Sequence, residues 1–363
     1  MARTYTFSIG VAEAGMRLDL FLARRLPIRV SRAMIQRGIR AGTVTIGEQP
    51  VKVHYKLRHG DVVTAAFDQL PAPARDVPLL AQNIPLDIVY EDDALLVVNK
   101  PPGLVTHPAP GHWDGTLVNA ILWHLDQHTA HSTQHTARTS SGEPQLQRAG
   151  IIHRLDKNTS GLLLIAKTAQ AQLSLARQLK ARTIHRRYLA LVEGHLPLDT
   201  GTVNMPIGRH TTHRKVMTVR HLGGRAAVTH YRVLKRFGSK LQASGVGLQP
   251  PASSFQLQAF LYTLIDVSLE TGRTHQIRVH LAHTGYPVIG DTTYGRHPAE
   301  FWQSIGVARQ LLHAYQLSFQ HPVTAKPLTV TAPIPSDMVP WVGCETMTRL
   351  QAVLFSQTVG GRR

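Results

Sequence analysis

The chain has 363 residues, of which 43% are hydrophobic and 17% are charged. This balance excludes a disordered chain, and the length predicts two domains rather than one core. Forty Lys and Arg residues outnumber 22 Asp and Glu residues, which gives a formal net charge of +18. The many positive charges repel one another in a folded protein, and a polyanionic partner would offset this repulsion. Nucleic acid is the leading candidate for that partner, ahead of an anionic membrane surface.

The cysteine and histidine content limits the chemistry further. Cys344 is the only cysteine, so the sequence offers neither an intrachain disulfide nor a CxxC zinc module and fits a reducing compartment. The 21 histidines include no HExxH pattern, and we interpret them as surface or RNA-facing groups rather than metal ligands. No apolar run has the length of a signal peptide or a membrane span, so we expect a cytoplasmic protein without membrane contact.

Residues 16–65 predict a small unit of two helices and a short hairpin. An apolar stripe predicts the first helix, which ends at Pro27. Ser31 is the expected N-cap of a second helix, Arg32–Arg40, and alternating residues then predict a strand at 44–46. This order of elements resembles the S4 RNA-binding module.

The helices of this unit are rich in arginine, which favours a nucleic-acid contact. The arginines are Arg17, Arg24, Arg25, Arg29, Arg32, Arg37 and Arg40. Because a planar guanidinium can bind a phosphate through two hydrogen bonds, we expect the unit to bind RNA. A solvated helix face without a ligand is the alternative.

A proline-bearing stretch at 70–75 predicts a linker, and mixed α and β structure follows it. Helices are predicted at 116–125 and 169–180, the second capped by Thr168. Strands are predicted at 87–90, 94–99, 161–166, 188–192, 227–234 and 262–268. Strands outnumber helices and are often joined by turns, so we expect a largely antiparallel sheet.

Two polar segments interrupt this pattern. Residues 126–147 are rich in His, Thr, Ser and Gln, and residues 238–254 are rich in Gly, Gln, Ser and Pro. Neither segment has apolar periodicity, so we interpret both as surface excursions.

The most informative pattern lies at 149–164. An apolar strand is predicted on each side of a polar loop, and within that loop Asp156 stands between Arg154 and Lys157. Two flanking cations favour the charged form of a carboxylate, which can act as a nucleophile or a general base. The loop by itself is equally compatible with an aspartate turn and a local ion pair.

Two further segments place polar side chains beside predicted strands. In residues 270–281 a strand ends at Glu270, Thr274 is the expected cap of a helix, and His275 and Arg278 share a face of that helix. In residues 185–192, Tyr188 opens an apolar strand. The structural alternatives are a basic helix face that binds nothing and a core tyrosine with a wet hydroxyl.

Together these three segments resemble the RluA family of pseudouridine synthases. The pattern HRLD followed by TSG, at 153–161, and the pattern TGRTHQIRVH, at 271–280, carry the resemblance. It extends from the S4-like unit to the segment APIPSDM at 332–338. That ending and the segment Gly223–Tyr231 are most similar to members that act on large-subunit ribosomal RNA.

The resemblance implies an α+β fold with two domains. We assign residues 1–70 to an S4-like RNA-binding domain, 71–80 to a linker, 81–340 to a catalytic domain with a largely antiparallel mixed sheet, and 341–363 to a C-terminal tail.

The resemblance also implies roles for individual residues. Asp156 would be the catalytic aspartate, Tyr188 the active-site tyrosine, and Arg278 the arginine that pairs with Asp156. Arg154 would help to hold the target base out of the helix. Contacts to substrate or RNA are further predicted for His153, Lys157, Thr159, His275, Gln276, Lys100, Arg17, Arg32 and Arg37.

The implied reaction converts uridines of large-subunit ribosomal RNA, free or in an assembling subunit, into pseudouridine. It breaks the N1–C1′ bond, turns the base and rejoins it through C5, with no net redox change, so we expect no cofactor. Neither a GxGxxG nor a P-loop pattern is present. Asp156 could first attack the sugar, attack the base or abstract a sugar proton, and the sequence leaves these three steps open. We expect the protein to be a monomer.

Two other classes of protein compete with this interpretation. A non-catalytic ribosome assembly factor would explain the charge and residues 16–65 but leaves the loop around Asp156 without a purpose. A glycoside hydrolase would need a second carboxylate to protonate the leaving group, and none stands out in the three motifs.

Overall fold

The computed structural model of the chain divides at Leu79 and Leu80 into two compact units. It describes residues 4–26, 32–66, 80–108, 114–129, 147–213, 216–238, 260–343, 346–348 and 350.

The first unit is a four-stranded antiparallel sheet with two helices. Its elements are β1 (Thr4–Ser8), α1 (Leu18–Arg25), α2 (Arg32–Ala41), β2 (Val44–Ile46), β3 (Gln49–Pro50) and β4 (Val62–Ala66). The strand order is β1-β4-β2-β3. The apolar stripe of α1 packs against Ile35 and Ile39 of α2, as its period predicted. Ser31, the predicted cap of α2, lies outside the described residues.

The second unit contains the remaining elements in chain order. They are β5 (Ile88–Glu91), β6 (Leu95–Lys100), α3 (Leu117–Thr129), β7 (Ser160–Ala166), α4 (Ala169–Ala181), β8 (His185–Glu193), β9 (Thr200–Asn204), β10 (Ile207–Arg209), β11 (Met217–Val219), β12 (Val228–Phe237), β13 (Tyr262–Leu269), α5 (Gln276–His283), α6 (Ala299–Ser304), β14 (Leu312–Gln320), β15 (Pro327–Thr331) and α7 (Val339–Val342).

Nine of these strands form one sheet in the order β5-β6-β7-β14-β8-β13-β12-β9, with β15 also paired to β14. Among the described residues every pairing in it is antiparallel except that of β7 with β14. Strands β10 and β11 form a separate hairpin. The predicted α+β class with a largely antiparallel sheet is therefore confirmed.

Both faces of the sheet are covered, which explains why its central strands read as unbroken apolar runs. Leu96 and Val98 of β6 point into a cluster that includes residues of α3 and α5, whereas Leu95 and Val97 point into a cluster with α4. A third cluster brings α6 and α7 against β8, β13 and β14. Because successive side chains of a strand alternate between faces, each face of this sheet has its own core.

The chain enters the loop around Asp156 differently from the prediction. We predicted a strand before this loop, but residues Gln147–Gly150 form a 3-10 turn and Ile151 makes only an isolated bridge to Ile165. The reason lies at Gly150, whose φ is +75° and where a Cβ would stand 1.9 Å from the Ala166 carbonyl oxygen. A turn this close to a neighbouring strand leaves no room for a regular pairing.

Two other predicted boundaries shift. Helix α3 runs to Thr129, so the start of the segment 126–147 is helical, and the rest of it up to 146 lies outside the described residues. Most of the second polar segment lies outside them too, from 239 onward. Trp341 and Val342, which we assigned to a tail, are buried in the core because α7 packs there.

Two absences hold for the part of the chain that the structure describes. None of its helices combines the length and the apolar character needed to cross a membrane. No three His, Cys, Asp or Glu side chains converge there as the ligands of a metal ion would.

Candidate active site

The loop that carries Asp156 is anchored by the segment that follows β6. Thr106 Oγ1 donates to the Leu155 carbonyl oxygen at 2.8 Å, and Lys100 Nζ donates to the Lys157 carbonyl oxygen at 3.0 Å. The backbone is thereby held on both sides of Asp156, whose side chain is 16% exposed. A carboxylate on a fixed backbone can be aimed without reorganisation, which is what a catalytic group needs.

Lys100 contributes to this loop rather than to a surface. Its side chain is fully buried, and Nζ donates to the carbonyl oxygens of Pro101, Leu104 and Lys157. Burial lowers the pKa of Lys100 to about 7, helped by the charge of Arg309 and opposed by Asp156. All three protons therefore face the protein, and the predicted RNA contact of Lys100 is not supported.

Arg278 of α5 joins Asp156 to a second, buried carboxylate. Its Nη1 donates to Asp156 Oδ2 at 3.1 Å, while Nε and Nη2 donate to the two oxygens of Asp291 at 2.7 and 2.8 Å. The Asp291 carboxylate, fully buried, also accepts from the N–H groups of Thr293 and Tyr294. The two-point pair fixes the plane of the guanidinium, so its remaining nitrogen can point only at Asp156.

The carboxylates of Asp291 and Asp156 keep Arg278 positively charged. Burial alone would lower the pKa of Arg278, but Asp291 and Asp156 outweigh burial and raise it. The structure thus brings Arg278 and Asp156 together as the resemblance implied. Asp291 was missed, because nothing in the sequence links it to an arginine 13 residues earlier across a helix and a turn.

His275 faces the other oxygen of Asp156. Its Nε2 is 3.8 Å from Asp156 Oδ1, and its Nδ1 is 2.7 Å from Tyr294 Oη, which accepts from the Met217 N–H at 3.0 Å. The Tyr294 hydroxyl can then donate to Nδ1, which leaves the proton of a neutral ring on Nε2, toward Asp156. Burial lowers the pKa of His275, although Asp156 opposes that change.

Helix α5 begins one residue later than predicted. His275, not Thr274, is the N-cap residue, with a φ of 55° and no capping hydrogen bond from its side chain. The side chain of Gln276 stabilises the turn instead, since its Oε1 accepts from Arg273 N and Thr271 Oγ1. This left-handed position of His275 turns the ring toward Asp156.

Three more predicted RNA contacts are buried and bonded within the protein, so their positions do not support that role. Gln276 Nε2 donates to Val228 O and Thr229 Oγ1. Thr159 Oγ1 accepts from Gln310.

The third of these residues is His153. Its Nε2 accepts from the Leu164 N–H at 3.2 Å, and burial, followed by the charge of Arg186, lowers its pKa to about 3. His153 is therefore a neutral core residue that ties the loop to β7.

Tyr188 lies in the core beside the loop. It is the fourth residue of β8, its side chain is 5% exposed, and its strand partners are Val267 and Ala314. Burial raises the pKa of Tyr188, and the Asp156 carboxylate adds to this against the charge of Arg186. The structure therefore brings Tyr188 into electrostatic reach of Asp156 across one strand of the sheet.

The remaining predicted residues lie at or near the surface. Arg154 and Lys157 are exposed on the two sides of Asp156. In the first unit Arg37 is half-buried on α2, and Arg17 makes a two-point pair with the buried Asp19 at 3.0 Å. The side chain of Arg32 lies outside the described residues.

Comparisons with known proteins identify the family to which the chain belongs. A family model described as RNA pseudouridylate synthase matches residues 94–283, and a model described as S4 domain matches residues 16–63. The chain is 42% identical over 328 residues to a ribosomal large subunit pseudouridine synthase D of Nitrosomonas europaea, covering 90% of this chain and 83% of the relative. It is 42% identical over 323 residues to an uncharacterised RNA pseudouridine synthase of Bacillus subtilis, covering 89% and 91%.

A solved structure supports the fold. Human RNA pseudouridylate synthase domain containing 1 superposes with a TM-score of 0.51 at 24% identity, covering 77% of this chain and 98% of the human one. Matches of this extent in both sequence and fold leave one assignment. The chain is a member of the RNA pseudouridylate synthase family, with an S4 domain ahead of its synthase domain.

Proposed function

We propose that this protein converts specific uridines of large-subunit ribosomal RNA into pseudouridine, with Asp156 as its catalytic carboxylate and without a cofactor. Relatives named ribosomal large subunit pseudouridine synthase D, in Nitrosomonas europaea and Neisseria meningitidis, are 42% and 41% identical over 90% of this chain. The S4 domain and the net charge of +18 support a large polyanionic substrate.

One observation carries the catalytic assignment. Asp156 is the partly exposed end of a charge chain in which Arg278 holds it at 3.1 Å and the buried Asp291 holds Arg278. One oxygen of Asp156 accepts from the Arg278 guanidinium, and the other lies 3.8 Å from His275 Nε2. Such a group can act on the nucleotide as a nucleophile or as a base.

The reaction has a simple balance of bonds. The N1–C1′ bond breaks, a C5–C1′ bond forms, C5 loses a proton, and N1 gains one. Asp156 would begin the exchange, and the Tyr188 ring would stack on the base. The Tyr188 oxygen would accept the C5 proton late in the reaction, after its hydroxyl has given up its own proton. Three first steps remain open for Asp156, namely attack on C1′, attack on the base, and removal of a sugar proton.

The target uridine has to leave its base stack to reach this site. Enzymes that act on a base inside a helix extrude the nucleotide into a pocket, or use a looped one. Arg154, which is exposed and two residues before Asp156, would help to hold the target base out of the helix. Arg-rich helices of the S4 domain would hold the surrounding RNA by its backbone and shape.

The decisive experiment compares Asp156→Asn with the wild-type protein on ribosomal RNA. We expect the variant to bind RNA with near-normal affinity and to form no pseudouridine, because the amide keeps the shape but not the charge of the carboxylate. Asp93→Asn, at an exposed aspartate of the same domain, is the matched control and should remain active. Pseudouridine is read by chemical mapping of the RNA, and binding is read by filter retention.

Other outcomes point elsewhere. Continued pseudouridine formation by Asp156→Asn would show that Asp156 is not the catalyst. Tight RNA binding by the wild-type protein without any modification would support a ribosome assembly factor instead. Mapping pseudouridines in cells with and without the protein would identify its uridines, and assays on free RNA and on subunit particles would identify its substrate form.

Location and oligomeric state belong to the same proposal. We infer a cytoplasmic monomer from the single cysteine and from the completeness of the charge chain within one subunit. Size-exclusion chromatography with light scattering measures the second point.

A further inference from the structure

Arg186 is a buried cation that has no partner among the described residues. It is the second residue of β8, two before Tyr188, and alternation along the strand places both side chains on the same face. The residue is 7% exposed, and among the described residues it forms no ion pair and no side-chain hydrogen bond. Its Nε is fully shielded from solvent without a hydrogen-bond partner.

The other buried cations of the described residues do have partners. Lys100 donates to three carbonyl oxygens, Arg278 pairs with two carboxylates, and Arg309 pairs with Asp337. Because a buried charge without a partner destabilises the folded state, proteins rarely keep one that has no ligand. Arg186 is the exception in this part of the chain.

The neighbouring residue Arg187 shows the contrast within one strand. It points to the opposite face, where it forms an ion pair with the buried Asp266 and lies over the ring of Tyr315. In β8, therefore, Arg187 is paired with a carboxylate, whereas Arg186 has no carboxylate partner among the described residues.

Arg186 lies where the three sequence motifs meet. A Cβ at Gly272 would be 2.7 Å from its Nη1, so the backbone of the turn before α5 lies directly against the guanidinium. Its positive charge adds to the lowering of the pKa of His153, which lies in the loop that carries Asp156. It also opposes the rise in the pKa of Tyr188 that burial causes. The unpaired charge is thus within electrostatic reach of the loop that carries Asp156 and of Tyr188.

We propose that Arg186 binds a backbone phosphate of the substrate RNA, at a linkage next to the target uridine. A phosphate supplies the missing negative charge and matches the two-point geometry of a guanidinium, which a uracil carbonyl does not. The phosphates on either side of a nucleotide are the anions nearest to its sugar and base, so they come to the site with it. This inference rests on the proposed function, since it requires RNA as the substrate.

The test combines a protein variant with a modified RNA. The substrate is a ribosomal RNA fragment that contains a mapped target uridine, made with a neutral methylphosphonate at the linkage on its 5′ or its 3′ side. We expect one of the two to lower kcat/KM of the wild-type protein on the order of 10- to 100-fold, as loss of a charged hydrogen bond does. Arg186→Met should lower kcat/KM by a similar factor on unmodified RNA, and that methylphosphonate should then have little further effect.

Controls separate this contact from general charge. Arg177→Met, at an exposed arginine of α4 on the other side of the sheet, should behave as the wild-type protein does. Arg186→Lys keeps the charge but not the two-point geometry, so it should retain part of the activity and of the methylphosphonate effect. It also replaces the methionine variant if that variant does not fold.

The melting temperatures of two variants test the proposal independently. Arg186→Met should leave Tm unchanged or raise it, because it removes an unpaired charge, whereas Arg187→Met should lower Tm by leaving Asp266 unpaired. Equal losses of Tm in both variants would overturn the proposal, as would a wild-type protein that is insensitive to both methylphosphonates. If the wild-type protein forms no pseudouridine in unmodified RNA, the proposed function fails; if it does so and only the methylphosphonates have no effect, the role of Arg186 fails alone.

Discussion

At the scale of single residues, the site depends on a line of three charges. Asp291 is buried completely, Arg278 almost completely, and Asp156 is partly exposed. The inner carboxylate compensates the burial of the arginine, and the arginine orients the outer carboxylate. His275, held by Tyr294, occupies the other side of Asp156.

Replacing the inner carboxylate tests this dependence. In Asp291→Asn the guanidinium of Arg278 keeps only Asp156 as a charged partner, so we expect the free energy of unfolding to fall by about 3 kcal/mol. We also expect kcat to fall more than KM rises, because Arg278 is then free to pull Asp156 out of position. Denaturant titration and steady-state kinetics on RNA measure both effects, and a variant with wild-type stability and kcat would contradict the charge line.

The sequence motifs contain most of the residues that the structure brings to the site. They did not show which of these residues face the site and which belong to the core. Asp156, Arg154 and Lys157 are neighbours in the chain, so their shared loop could be predicted. His153 and Gln276 stand in the same motifs, yet they are core residues. Burial depends on which strands cover a side chain, and that is not a property of the motif itself.

At the scale of elements, the site depends on the contact of β7 with β14, the parallel pair of the sheet. Gly161 has a φ of +114°, and a Cβ there would lie 2.2 Å from the Ala314 carbonyl oxygen. Ala314 is in turn paired with Tyr188 of β8. This close approach sets the distance between the loop that carries Asp156 and the strand that carries Tyr188.

Adding one methyl group at this point should disrupt the site. In Gly161→Ala the new Cβ meets backbone atoms that cannot rotate away and the residue keeps a strained φ, so we expect a loss of about 2–4 kcal/mol of unfolding free energy. Activity should fall with it, because the loop moves away from Tyr188. Gly238→Ala is the control, since nothing lies within 4 Å of its Cβ position, and it should change stability by less than about 1 kcal/mol. Wild-type stability of Gly161→Ala would show that the strands can separate without cost.

At the scale of the whole molecule, buried histidines make stability depend on pH. Burial, with a contribution from Arg186, lowers the pKa of His153 to about 3, and burial with a contribution from Arg309 lowers the pKa of His313 to about 4. In the unfolded chain both rings titrate near 6.5. Between these pKa values the unfolded state binds more protons than the folded state. The contribution of the two histidines to the free energy of unfolding is therefore complete above pH 6.5 and is lost as the pH falls.

The expected slope is about 1.4 kcal/mol per pH unit for each histidine below pH 6. We expect denaturant titrations at pH 7, 6 and 5 to show this loss, and His313→Asn to have a slope that is shallower by about half. The slope is the relevant measurement, because the substitution also changes the bond of His313 to Ser160. Identical slopes in the variant and the wild-type protein would show that His313 is not the titrating group.

The sequence by itself determined the family, favoured a polyanionic partner and singled out the loop around Asp156, and it predicted most helices and strands. These depend on net charge, on periodicities of two and 3.6 residues, and on motifs of neighbouring residues, all of which are local properties of the chain. Only the tertiary structure decided which charges are paired. Arg278 pairs with Asp291 and Asp156, and Arg187 pairs with Asp266, whereas Arg186 has no carboxylate partner among the described residues. The pairs join strands and helices that are far apart in sequence.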